Sequence, residues 1–220
     1  MKRIIAALLL IAMCAGLTAC GGSNQKLEQE TFELLNSAYS YCHTGMNYIL
    51  RAWNFSVSHS TDKTKEQFEA LWNLFGAHMG MTEDEMVQGM IGGCGMTLAD
   101  LSKYGADGKT KDPSRGLNTI INGMMFMKAE YSIHTAAYVY AERNKSSDIN
   151  AKLEKIKENL KQIGDTSKAY TLLKDYYLMV YEMNNWVSAP NGTYVSANNS
   201  LKNYENTSEK YKQELDLMIK

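Results

Sequence analysis

DINAKLEKIKENLKQIG, residues 148–164, decides how the rest of the chain is read. Ile149, Leu153, Ile156, Leu160 and Ile163 return at alternating spacings of four and three, with lysines and glutamates between them. At ~3.6 residues per turn this draws one apolar stripe along an otherwise solvated helix. Gly164 follows the last member of the stripe, where a left-handed residue ends a helix at least cost.

The same rhythm extends in both directions. After the glycine, Ala169, Leu173, Tyr176, Val180, Met183 and Val187 form a second seam, and Ala189-Pro190-Asn191-Gly192 reads as a turn. Ala197, Leu201, Tyr204, Ser208, Tyr211, Leu215 and Met218 form a third. Upstream, Asp112-Pro113 supplies an N-cap and a first-turn proline. Leu117, Ile120, Met124, Met127, Tyr131, His134 and Tyr138 follow as that helix's seam, which ends near Asn144. Gly105 to Lys111 reads as a loop. From about Leu27 to His59, Leu35, Ala38, Cys42, Gly45, Ile49 and Ala52 repeat, with Met46 and Trp53 widening the stripe. That first helix would hold roughly 33 residues and span ~50 Å. Ser60-Thr61-Asp62 breaks it.

Residues 64–104 are less regular. Phe68, Leu71, Trp72 and Phe75 give an apolar face up to Met79, and Thr82 with Glu85 has the spacing of a capping box. Gly89, Gly92, Gly93 and Gly95 each lower helix stability. They predict a break near Gly80 and a second helix kinked near Gly92, or a close helix contact. Narrow 3-4 stripes pack at about +20° in antiparallel bundles, and short connections make sequential helices neighbours. The expected fold is all-α: an elongated antiparallel bundle of five to seven helices over residues 27–220. A coiled-coil rod is the alternative, disfavoured by the aromatic seam positions.

The N-terminus carries a different message. Lys2 and Arg3 precede an apolar run from Ile4 to about Gly16, too short for a stable span of ~20 apolar residues. Leu17-Thr18-Ala19-Cys20 follows, then Gly21-Gly22. This order resembles a bacterial lipoprotein signal ending in a lipobox. The resemblance implies cleavage after residue 19 and lipid on Cys20. The competing reading is an ordinary signal with a chance cysteine. A single acyl chain binds membranes marginally at ~0.8 kcal/mol per buried CH₂, and two hold stably. Residues 20–26 would form a short lipidated tether, leaving the bundle outside the membrane, extracytoplasmic and lipid-anchored.

Cleavage would leave 201 of the 220 residues, enough for one domain. Lys2 and Arg3 leave with the signal, so 21 basic and 24 acidic side chains give a formal charge of −3. That balance speaks against a nucleic-acid partner. Leu172 to Tyr177, the Ser188 to Tyr194 turn and Tyr211 to Met218 are loosely similar to the ends of small helical lipoproteins of Gram-positive gut-type bacteria. That resemblance implies the bundle and no chemistry.

Chemistry-bearing residues are sparse. Cys42 and Cys94 could pair outside the cytoplasm or sit as small buried apolar groups. His78, Met79 and Met81, with Met86, Met90, Cys94 and Met96 nearby, combine imidazole, thioether and thiol donors that suit Cu(I), though methionine also fills irregular cores. Glu130 and His134 lack the Glu-x-x-His spacing of carboxylate-bridged metal bundles, so His134 reads as a half-buried core residue. Trp53, Trp72, Tyr176 and Trp186 could line an apolar pocket or fill the core. The chain holds no His-Glu-x-x-His, Gly-x-Ser-x-Gly or P-loop pattern. The expectation is a non-enzymatic envelope bundle without cofactor, interacting with a surface partner or supporting the envelope. Alternatives are a small-ligand lipoprotein with a Tyr/Met-lined cavity, or copper handling.

Overall fold

Helix accounts for all the regular structure in the described residues. A computed structural model describes residues 2–59, 65–95 and 129–219, with side chains at 24–59, 71, 73–95 and 131–219. Seven helices lie within them: α1 (Lys2–Ser58), α2 (Lys65–Met79), α3 (Glu83–Cys94), α4 (Ala129–Arg143), α5 (Ser146–Ile163), α6 (Tyr170–Ser188) and α7 (Tyr194–Ile219). The Ser60-Thr61-Asp62 break, the loop 105–111, the Asp112-Pro113 start and the seam positions Leu117 to Met127 lie outside the described residues.

Three expected punctuation marks are built as the sequence implies. Gly80, Gly164 and Gly192 all adopt positive φ, at 63°, 72° and 92°. Thr82 and Glu85 exchange backbone and side-chain hydrogen bonds in a capping box at the start of α3. A second reciprocal cap starts α7, where the Ser196 amide donates to Thr193 Oγ1 and the Thr193 amide donates to Ser196 Oγ, both at 3.1 Å.

The described chain gathers into two compact units. The first comprises residues 1–39, 149–181 and 204–220. In it α1 runs parallel to α6 and antiparallel to α5 and α7, as three sets of contacts show. Asn36 accepts from the Tyr176 hydroxyl and Glu28 from Ser167. Ser37 meets Lys152 where Glu30 meets Lys155, and Gln25 meets Ile219 where Tyr39 meets Lys212. All five stripe residues of α5 are buried, each contributing up to about 1.5–3 kcal/mol of apolar transfer. Tyr176 is sealed between Tyr39 and Tyr211, with ring centroids 6.2 and 5.6 Å away.

The second unit comprises residues 40–148 and 182–203. There α4 is antiparallel to both α1 and α3. Tyr140 donates to the Tyr41 carbonyl at 2.6 Å, and Ser132 meets Ser56 two turns of α4 earlier. Against α3, Thr135 and Val139 lie over Gly89, and the His134 backbone lies over Gly93.

Two expectations are corrected here. The glycines do not break α3, which runs through Gly89, Gly92 and Gly93 to Cys94 and stops at Gly95 with φ 65°. They let α4 approach so closely that a Cβ at any of the three would overlap it. The expected seam Tyr131, His134 and Tyr138 is only half-buried. The residues buried on α4 are Ser132, Ile133, Thr135, Ala136, Ala137, Val139 and Tyr140. Pressed between two helices, α4 buries small residues on two sides, and a single-stripe reading misses that.

Candidate functional site

The C-terminal end of α2 carries the most elaborate polar arrangement in the second unit. A helix leaves its last carbonyls without intrahelical partners. Here His78, Met79 and Gly80 present three in a row, and each finds a side chain. Arg51 donates to the His78 carbonyl, Tyr48 to the Met79 carbonyl at 3.2 Å, and Arg143 Nη2 to the Gly80 carbonyl at 2.6 Å. The Met81 amide turns back to the Gly76 carbonyl at 2.8 Å. Arg143 also grips Glu85 with both arms, Nε to Oε1 at 2.6 Å and Nη2 to Oε2 at 2.5 Å. One guanidinium thus ties α4 to the turn before α3 and to α3's first turn.

The Arg143 hydrogen bond, with the Thr82 backbone amide next, holds the Glu85 carboxyl at about 2, well below its ordinary 4.5. A depressed acid stabilises the fold fully above its unfolded value and loses that contribution as pH falls through the folded one. The pair is about one-third exposed on each side, so solvent screens it. Glu85→Gln should therefore be less stable than the native chain at pH 7, and the gap should narrow between pH 4.5 and 2. Urea midpoints at pH 7 and pH 3 test this, and a gap independent of pH would contradict the assignment.

The expected sulfur and imidazole donors occupy this region in packing roles. Met79, Met81, Met86 and Met90 are buried and His78 is exposed. Met86 fills the hollow over Gly76, where a Cβ would stand 2.7 Å from its Cε. The Cys94 thiol donates to the Tyr131 carbonyl at 3.7 Å. His59 and His78 meet one ring, Phe55, with centroids 4.2 and 5.1 Å from it. Among the described residues no three His, Cys, Asp or Glu side chains gather as metal donors. Met96 lies outside them. His134 is half-buried.

No disulfide joins Cys42 and Cys94. Cys42 is the buried apolar thiol of the α1 seam, and burial pushes its pKa up to about 12. The side chain of Cys20 lies outside the described residues. The expected start of the first helix near Leu27, after a flexible tether, is corrected: residues 20–26 are helical and continuous with α1 (Lys2–Ser58), because no Gly or Pro stop separates them from the seam, and Gln25 Nε2 donates to the Ile219 carbonyl at 3.1 Å. Among the described residues no helix is long and apolar enough to cross a membrane.

The aromatic candidates fill space. Tyr176 is fully buried and donates to Asn36 Oδ1 at 3.1 Å. Trp53 packs edge-on against Tyr194 at 6.2 Å. Trp186 Nε1 donates to the Asn191 carbonyl and holds the 189–192 turn. The Trp72 side chain lies outside the described residues. Hollows of about 580, 350 and 300 Å³ are surface features lined mainly by polar side chains such as Gln29 and Glu33, Asp84 and Arg143, and Asn24 and Lys168.

Two residues escaped the sequence reading. Arg143 carries no local signal, because its partner Glu85 stands 58 residues away in the chain. Asn159 stands among the lysines and glutamates of α5, yet it is fully buried with neither amide atom bonded. Its spacing of three after Ile156 and four before Ile163 was the available signal. Compared with family models, with curated proteins and with solved structures, the chain matches none.

Proposed function

We propose that this chain is a bacterial envelope lipoprotein, cut after residue 19 and held to the outer face of a membrane by lipid on Cys20. Its helical part, residues 27–220, would act by contact with an envelope partner and not by catalysis. The observation that carries the address is the ordered series Lys2-Arg3, apolar core and Leu17-Thr18-Ala19-Cys20-Gly21. What supports action by contact is the use of the aromatic side chains. Tyr176 and Trp53 are spent on packing, while Val57, Leu74, Tyr181 and Val195 remain exposed.

Cys20→Ser tests the anchor. The native chain should sediment with membranes and carry the mass of a diacylglycerol on its N-terminal peptide. The variant should be released and lack that mass. A Cys20→Ser chain that stays membrane-bound sinks the proposal.

A further inference from the structure

We infer that the end of the first unit carrying Leu217 and Met218 seats directly on the lipid surface, so that the bundle stands on its anchor with its last helical turn inserted. The inference rests on the lipid-anchor reading of Cys20 and adds a second, protein-borne contact to it.

Three observations meet at this end. Leu217 is 83% exposed and Met218 51%, on the last turn of α7. Isolated exposed apolar residues are ordinary, so exposure alone says nothing. The second observation is position. Gln25 is bonded to the Ile219 carbonyl at 3.1 Å, and five residues separate it from Cys20. Five residues reach at most ~18 Å fully extended and ~7.5 Å as helix. Adding roughly 10 Å for the Gln25 side chain and the step from Ile219 to Leu217, any acyl chain on Cys20 enters the bilayer within about 3 nm of Leu217 when extended and about 2 nm as helix. The third is continuity. Met218 shares a hollow of about 300 Å³ with Asn24, Gln25 and the Thr166–Ala169 connection, so the α1 side, the α5–α6 connection and the α7 end form one surface.

The charges choose the lipid chemistry. Glu28, Asp165 and Asp216 stand on these same segments with Lys168 and Lys26. Acids are not outnumbered there, so attraction to anionic headgroups contributes nothing. The contact is apolar, a leucine and a thioether entering the headgroup–acyl boundary, with the lysine stem of Lys168 able to keep its ammonium in water. A neutral phosphatidylcholine surface suffices.

The test uses the full acylated chain in phosphatidylcholine vesicles, with and without bromine on the acyl chains. Tryptophan is placed at Leu217→Trp, where exposure spares the core. Leu178→Trp serves as reference, an exposed site (50%) on α6 nine residues after Ala169. The emission added at 217 should be blue-shifted and roughly halved by brominated lipid, as expected for a side chain ~5–10 Å into the interface. That added at 178 should be unchanged. An acylated chain whose residue 217 emits as from water, or is shielded from bromine by protein, overturns this inference and leaves the anchor standing. A chain that carries no acyl group overturns both.

Discussion

Gly93→Ala should lower the unfolding free energy by about 2 kcal/mol, although alanine is the better helix former. In an unpacked helix the exchange would gain roughly 0.5–1 kcal/mol. Here the new Cβ would stand 2.8 Å from the His134 carbonyl carbon, with the carbonyl oxygen nearer still. The obstacle is backbone in the middle of α4, which cannot rotate aside. Relief requires α3 and α4 to separate, opening gaps on both sides of Gly93. Overpacking costs about 1–3 kcal/mol, and a rigid obstacle places it at the upper end. Gly76→Ala supplies the contrast, because its Cβ would crowd the Met86 thioether end, 2.7 Å from Cε, and meet the Met81 carbonyl oxygen only at an ordinary 3.4 Å. A methionine tip adapts, so that variant should be within ~0.5 kcal/mol of native. Urea unfolding of both variants measures the difference. A Gly93→Ala chain as stable as the native one would mean the α3–α4 contact is looser than drawn.

The same contact shows what can be read from sequence and what cannot. Leu35, Ala38, Cys42, Ile49 and Ala52 all lie buried, as do Ala169, Leu173, Tyr176, Val180, Met183 and Val187. Large apolar side chains at regular spacing announce their own burial, because no other surface of the helix competes with them. In the last seam Ala197, Leu201 and Ser208 are buried, while Tyr204 and Tyr211 are half-buried. Leu215 is buried but Met218 is not, and Ile219 takes its place. A strict 3-4 count drifts from the true helical period over six turns, so the final position was legible only to within one residue.

Glycines 89, 92 and 93 and the small residues of α4 behaved differently. Locally each glycine is a cost, and the sequence around it names no neighbour. Its value appears only when α4's backbone arrives from more than 40 residues away. Ser132 and Thr135 have the polarity of a solvated face, yet both are fully buried. Their smallness matters to the packing more than their hydroxyls do. Arg143 is similar. Its partners, the Gly80 carbonyl and Glu85, stand 63 and 58 residues away. The candidate site was thus half legible. The cap Thr82–Glu85 is local and was readable. The guanidinium that completes it is a product of the fold. The resemblance of Leu17-Thr18-Ala19-Cys20 to a lipobox is a reading of the sequence alone.

Asn159→Leu should raise the unfolding free energy by about 2 kcal/mol. The Asn159 side chain is fully buried in α5, and neither its Oδ1 nor its Nδ2 has a hydrogen-bond partner. Burying an unbonded amide costs about 1–3 kcal/mol judged by protein mutants. Leucine removes both polar atoms on the same branched skeleton of four heavy atoms and is a better helix residue by a few tenths of a kcal/mol, and its bulkier methyls offset part of the gain. It would extend the stripe of Ile156, Leu160 and Ile163. Asn159→Asp gives the opposite test, since a carboxylate there meets the same apolar surroundings with a charge. It should destabilise strongly at pH 7 and recover as acid neutralises it. Thermal unfolding reads both, with Tm moving about 2–4 °C per kcal/mol for a chain of this size. An Asn159→Leu chain less stable than native would contradict the reading of this amide as a net cost. The polar atom would then be a structural requirement of the first unit and not a defect in its core.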